Sequence, residues 1–552
     1  MRAPDPLPDT VPETEFSSIR AARHVAAIAQ APHPIGSSEH ARVRQYIVAE
    51  FAKLGLHPQV QRLASPVPIG PKRERMTLQN IVGKLPGTSG EPAMLLCAHY
   101  DSRPTTPGAA DNSSGVATLL ETVRAVRAGA PLRDDLIVLI TDAEEEGCLG
   151  GFGYVRAQSG ARDLGLVLNF DARGNSGPSL MFETSQGNAR LIEDFVRVAP
   201  HPVGNSLART VYEWLPNGTD FTAFKVAGVP GLNFAFIDGY PAYHRPPDTI
   251  ENLSLASLQH HGSYALALTL QFANQPLNRD DLRAKSDIVF FNVWGGMLAH
   301  YPMSWVWPLA GLACLGCVLI GVQLFQRGLV RPHSAVVGLL LAIVWTILAP
   351  VTVAEVASVI ERAAPRLGMP TVLPPRGENL CSPLVTLGWL NVALLMTLLY
   401  RSLCIRRTSV QGLWLGHLAI WMGLCLATAF VAPGGGFLFT WPLLFALPGY
   451  AIFLYRTPAE SPSPVRAFAV LLTAVPVVVL MPQMIYLVHL ALVPFTVVGT
   501  IAVMFLAVQT ITLLLPQFEL AAPRLRWTLP AVAGAIAIGC FIGGVAVRYP
   551  GA

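Results

Sequence analysis

The spacing of apolar positions changes twice along this chain. Ile19, Ala22, Val25 and Ala26, then Val43, Tyr46, Ile47 and Phe51, recur at helical intervals, so residues 15–60 read as helix. Further on come short runs with no polar alternation: Met94–Ala98, Leu136–Ile140, Leu164–Leu168 and Gly231–Phe236. Short, uniformly apolar runs predict strands buried on both faces. Between the first two, a helical stretch begins at Gly115 behind Ser113-Ser114. Strands alternating with helices predict an α/β domain with a mostly parallel, mixed central sheet flanked by helices. After roughly residue 300 the period is lost, and long apolar stretches alternate with short Arg-containing connectors. A membrane span needs about 20 apolar residues. About eight stretches qualify, roughly 304–325, 335–358, 383–400, 411–432, 436–455, 467–486, 493–515 and 528–547. The expected layout is a tail over 1–15, the α/β domain over 16–280, a linker over 281–303 and an all-α multi-span transmembrane domain over 304–552.

Composition supports the division. Only 13% of the 552 residues are charged, against about 25% in a soluble protein, so much of the chain faces a lipid bilayer. The net charge of +4 comes with no long basic run, which leaves nucleic-acid binding without support. Lys72, Arg73 and Arg75 form a small basic patch that reads as a solvated loop. The eight cysteines have no framework spacing, and Cys314-Leu-Gly-Cys317 lies inside an apolar run.

The chemistry sits beside the strand-like runs. His99-Tyr-Asp101 follows the first run, and Asp111 lies in the loop before the Gly115 helix. Asp142-Ala-Glu144-Glu145-Glu146 follows the second, Asp171 the third, and Tyr243-His244 comes soon after the fourth. In sheets of this kind ligands bind beyond the carboxyl ends of the strands. Each motif alone has an ordinary reading: a surface turn, a helix N-cap, a solvated acidic loop. Together, His99, Asp111, Glu145, Asp171 and His244 supply two imidazoles and three carboxylates, which suits two neighbouring zinc ions if one carboxylate bridges. Glu144 is then left beside the metals as a general base, and Asp101 can hold the second ring nitrogen of His99. These two are the candidate catalytic residues. The reaction implied is metal-assisted hydrolysis of an amide bond.

The segments His99–Ser102, Pro107–Ala117, Asp142–Gly147, Asn169–Asp171 and Tyr243–Thr249, in this order, resemble the co-catalytic di-zinc exopeptidases, the bacterial leucyl aminopeptidases and glutamate carboxypeptidases. Gly218–Phe224 followed by Gly228–Pro230 is similar to the family's segment before its last strand, so the resemblance covers roughly residues 20–270. It implies that Asp111 bridges, that His99 and Asp171 complete one zinc, that Glu145 and His244 complete the other, and that Glu144 is the base. Gly147-Cys-Leu-Gly-Gly151 departs from the family's usual sequence after the glutamates without touching a ligand. A peptidase domain followed by many spans is similar to the endoplasmic-reticulum metallopeptidase branch.

That resemblance implies a membrane-anchored zinc metallo-exopeptidase acting on peptide ends, with aminopeptidase as the first reading. A carboxypeptidase or a glutaminyl-cyclase-like enzyme on the same fold is the alternative, and a transporter or receptor with a peptidase-like capture domain is the rival from another class. Glu146 and Asp220 are candidates to hold a substrate ammonium, and Arg173, Arg209 and Arg245 a substrate carboxylate. Nine arginines (327, 331, 401, 406, 407, 456, 466, 524, 526) fall in alternate connectors, against four (362, 366, 376, 548) in the others. The positive-inside bias therefore predicts a catalytic domain on the non-cytoplasmic side. The N-terminus reads as neither signal nor span, so a preceding segment is expected. Glu355, His417 and His489 in or near spans are further functional candidates.

Overall fold

The computed structural model describes residues 3–521 apart from 70–73, 90–91, 158–160, 216, 284–285, 294–295, 364–382, 457–463 and 493–495, and, beyond them, 532–537 and 539–540. It divides into two compact units, Met1–Met303 and Ser304–Ala552.

The first unit is built on a seven-stranded sheet. Its strands are β1 (Gln59–Ala64), β2 (Thr77–Leu85), β3 (Ala93–His99), β4 (Leu136–Thr141), β5 (Leu164–Ala172), β6 (Leu180–Thr184) and β7 (Gly231–Phe236), in the order β1-β2-β4-β3-β5-β7-β6. The central β4, β3, β5 and β7 are parallel. The edge pairings β1–β2, β2–β4 and β6–β7 are antiparallel. Every residue of β3, β5 and β7 is buried, which is why those stretches carry no polar alternation. Helices α1 (Ser18–Ile28), α2 (Ser38–Lys53), α3 (Gly115–Arg127), α4 (Leu149–Arg156), α5 (Ala189–Val198), α6 (Ser206–Trp214), α7 (Asp220–Val226) and α8 (Leu255–Phe272) flank it. Phe170 of β5 stacks on Phe234 of β7 with centroids 5.0 Å apart, and Phe195 and Tyr264 from α5 and α8 close the core over them.

Two expectations need correction. Residues 15–60 are not one helix. Pro32, Pro34 and Gly36, the last at φ +81, break it. Ser17 and Ser37 then cap two separate helices, accepting hydrogen bonds from the backbone of Arg20 and His40. The stretch expected as a linker forms a hairpin, β8 (Ile288–Asn292) with β9 (Leu298–Pro302), whose Ile288, Phe290 and Leu298 enter the core.

The described residues of the second unit are helical. Among them, five helices are long and apolar enough to cross a membrane: Met303–Gln326, Pro332–Val356, Leu387–Cys404, Val410–Val431 and Phe468–His489. Phe437–Ile452 and Val498–Leu514 are shorter apolar helices. The stretch expected at 528–547 lies mostly outside the described residues. Gly338 has no room for a Cβ against the backbone of Gly412, nor Gly416 against that of Gly338, so these two helices cross backbone to backbone. Glu355 is exposed, whereas His417 and His489 are buried, His417 edge-on to Tyr400 at 5.8 Å.

Candidate metal centre

Parallel strands put their carboxyl ends on one edge of the sheet, and the polar motifs gather there. His99 is the last residue of β3, and Asp171 the next-to-last of β5. The acidic turn Asp142–Glu146 leaves β4, and His244 lies on the loop after β7. Asp111 comes from the loop into α3. That loop is held by Asp248, whose carboxylate accepts from the backbone N–H groups of Ala110 (2.7 Å) and Asp111 (3.2 Å). Asn112 holds it from the other side, donating to the carbonyl of Phe170 and accepting from Gly115. A Cβ at Gly115 would strike both Asn112 and the β5 backbone.

Asp111 is the meeting point. Its Oδ1 lies 3.2 Å from His99 Nε2, which is also 3.6 Å from Asp171 Oδ1. Its Oδ2 lies 3.1 Å from His244 Nε2, which is also 3.1 Å from Glu145 Oε2. Two groups result, His99–Asp111–Asp171 and Asp111–Glu145–His244, and the candidate ligand atoms of each lie within 4.8 Å of one another. Both sets mix imidazole with carboxylate, a donor set that suits zinc. His99 Nε2, His244 Nε2 and Glu145 Oε1 are buried without a hydrogen-bond partner among the described residues. Buried polar atoms rarely go unpaired, and cations placed in these groups would satisfy all three. The residues fit the metal.

Glu144 stands apart from both groups. Its Oε2 is 4.0 Å from His99 Nε2, and its Oε1 is 3.4 Å from Cys148 Sγ. Asp101 fixes the geometry from behind. Its Oδ1 approaches His99 Nδ1 at 3.4 Å, while its two oxygens accept from the backbone N–H groups of Glu144 (3.1 Å) and Glu145 (3.2 Å). Asp142 faces away, toward His40 Nε2 at 3.0 Å and the backbone N–H of Gln79. Ala143 and His244 take left-handed backbone, φ 56 and 58, a conformation that costs a side chain and clusters at functional sites.

The electrostatics follow from the crowding of charge. Burial opposes a charged His99 ring, but Asp101, Asp111 and Asp171 outweigh it and hold its pKa well above normal. His244 is lifted to about 9: burial works against it, and Asp111 and Glu145 prevail. Burial, with Asp171, Asp220 and Glu145 adding to it, pushes Glu144 well up. Burial and then Asp111 raise Glu145. Asp220, raised to about 7 chiefly by burial, accepts a hydrogen bond from Thr141, and its Oδ1 has no hydrogen-bond partner among the described residues. Carboxylates this close resist ionising together unless cations neutralise them.

Of the residues weighed for substrate ends, Asp220 lies against this cluster and Glu146 is exposed on its rim. Arg209 is committed to Asp287 and Glu213, and Arg173 lies over the Tyr240 ring. Three contributors have no assigned role in the sequence. Asp248 lies 137 residues from the Asp111 it braces. Arg103 Nε sits 2.7 Å from Glu145 Oε2, and Cys148 touches Glu144. Nothing in their local sequence marks these contacts.

Residues 80–269 match the profile of Peptidase family M28, and this stretch is an M28 peptidase domain. Endoplasmic reticulum metallopeptidase 1 of Mus musculus is 31% identical over 235 residues, which cover 41% of this chain and 26% of that protein. The vacuolar membrane protease of Candida dubliniensis is 26% identical over 302 residues, 53% of this chain and 31% of that protein. The match spans about a quarter of the length of the first curated relatives. Among solved structures, the zinc aminopeptidase BSAP of Bacillus subtilis aligns at 19% identity and a TM-score of 0.39, covering 47% of this chain and 96% of that one.

Proposed function

We propose that the chain is a membrane-anchored zinc exopeptidase that removes residues from the amino end of peptides, with its catalytic domain on the non-cytoplasmic side. The observation that carries the reading is Asp111, whose two oxygens face two separate imidazole–carboxylate groups while Glu144 belongs to neither. His99 and Asp171 would hold one zinc and Glu145 and His244 a second, with Asp111 common to both. Zinc bound there supplies Lewis acidity toward a scissile carbonyl and toward water. Glu144 takes the proton of the attacking water and returns it to the leaving amine. Asp101 keeps the His99 ring oriented and, through the Glu144 and Glu145 amides, fixes the acidic turn against β3. Acidic groups beyond the ligands, Glu146 on the rim and Asp220 behind, favour a substrate ammonium. Arg209, tied to Asp287 and Glu213, is not open to a substrate carboxylate. The side of the membrane rests on the arginine bias of the connectors.

Two measurements test this. Elemental analysis at saturation should give two zinc ions per chain, and a single tightly bound ion would remove the bridge and favour the cyclase alternative. A peptide library blocked at one end or the other should be cleaved only where the amino end is free. Cleavage restricted to free carboxyl ends would overturn the aminopeptidase assignment.

A further inference from the structure

The turn that carries the proposed base also carries a cysteine. The backbone N–H groups of Gly147 and Cys148 both donate to the carbonyl of Glu144, at 2.8 and 2.7 Å, and Leu149 donates to Ala143. This tight turn folds Cys148 back over Glu144. The Cys148 thiol is buried, with Sγ 3.4 Å from Glu144 Oε1, and it is the one side-chain hydrogen-bond donor that reaches Glu144 among the described residues. The other groups facing that carboxylate are mostly like-charged: Asp171, Asp220 and Glu145 repel it, and His99 attracts it. Without the thiol, no side chain among the described residues donates to Oε1.

The backbone gives a second, independent observation. Cys148 has φ 57, in the left-handed region, directly after Gly147 at φ 107. Glycine takes this conformation freely and a residue with a Cβ does not. Among the described residues no neighbour comes within 4 Å of a Cβ built at Gly147, whereas the buried Cys148 Sγ lies against Glu144 and would be 3.6 Å from a Cβ built at Gly218. A side chain is thus kept where its absence would ease the turn.

We infer that Cys148 is a positioning residue for Glu144: its S–H donates to Oε1 and holds Oε2 toward the His99–Asp111 group. The inference rests on the reading of Glu144 as the base, but the contact itself can be tested without it. In Raman difference spectra against Cys148→Ser, the Cys148 S–H stretch should lie at lower frequency in the intact chain than in Glu144→Ala. An unchanged band overturns the proposal. The kinetic arm uses Cys148→Gly and Cys148→Ser. Cys148→Gly relieves the turn, so its melting temperature should equal or exceed that of the wild type. Its kcat should nevertheless fall on the order of tenfold, as for a lost hydrogen bond to a charged group, with KM and zinc content unchanged. Cys148→Ser, which keeps a donor, should recover most of that loss. Wild-type kcat in Cys148→Gly, or a loss that follows metal content, refutes the positioning role. If the intact chain cleaves no peptide while the S–H band still responds to Glu144, the peptidase reading fails and the Cys148–Glu144 contact stands.

Discussion

Glu144→Gln separates the two kinds of carboxylate in this site. Glu144 and Glu145 are adjacent, yet Glu145 Oε2 lies 3.1 Å from His244 Nε2 while Glu144 reaches no closer than 4.0 Å to His99. Glutamine keeps the size of Glu144 and an oxygen for the Cys148 thiol to donate to, but its amide cannot take a proton from water. Loss of a positioned general base costs about 10²–10⁴ in rate, which is about 2.7–5.4 kcal/mol of barrier. Zinc content should not change, because neither candidate metal group contains Glu144. The assay is kcat/KM on a chromogenic aminoacyl amide, with zinc measured on the same sample. Glu145→Gln should instead weaken one metal site. The pH dependence of stability adds a sign. In the metal-free chain burial and neighbouring carboxylates raise the Glu144 pKa, so the folded state holds its proton better than the unfolded state does. Stability contributed by that proton is present at low pH and lost as pH rises through the raised value. Metal-free Glu144→Gln, which cannot ionise, should therefore melt above the metal-free wild type at pH 8, and the gap should shrink toward pH 4. Zinc lost from the Glu144 variant but retained in the Glu145 variant would reverse the two roles. Undiminished turnover in Glu144→Gln would remove it as the base.

Three further outcomes are expected. Asp248→Ala leaves the Ala110 and Asp111 amides unbraced and should weaken zinc binding about 10–100-fold with the fold intact, as read by metal-competition titration; unchanged affinity would show that the loop needs no brace. Cysteines introduced singly into a cysteine-free background should react with an impermeant reagent on intact cells at Arg376→Cys, which lies outside the described residues, and not at Arg406→Cys; the opposite pattern puts the catalytic domain in the cytoplasm. A chain ending at Met303 should fold and cleave a short peptide, whereas one ending at 280 loses Ile288, Phe290 and Leu298 from the core, about 5–9 kcal/mol of burial; equal melting temperatures for the two would show that the hairpin is dispensable.

Much of the site was legible because its chemistry lies next to strong local signals. The four parallel strands are buried on both faces, so their residues had to be apolar, and the polar residues ending them stood out. His99, Glu145 and Asp171 could be placed at strand ends for that reason. The edge strands left no such trace. β1 reads Gln-Val-Gln-Arg-Leu-Ala, with four of its six residues exposed and none buried, so its composition differs little from a loop. The break at Pro32–Gly36 was overrun by helical spacing on either side, and the β8–β9 hairpin was hidden by its nearness to the first apolar span.

The sequence by itself determined which side chains are available and what they can do: two imidazoles, a set of carboxylates and a base candidate, each at the mouth of a strand or loop. It also determined that the chain beyond about residue 300 carries apolar stretches, five of which form helices long enough to cross a membrane among the described residues. Tertiary structure alone decided how the site is shared out. That Asp111 turns one oxygen to His99 and the other to His244 depends on β3, β5 and β7 lying side by side in register. That Asp248 supports the Asp111 loop, and that a thiol touches Glu144, depends on where loops from distant parts of the chain come to rest. Residue type is a local property that the chain carries with it, whereas the distance between two oxygens and two imidazoles exists only once the sheet has closed.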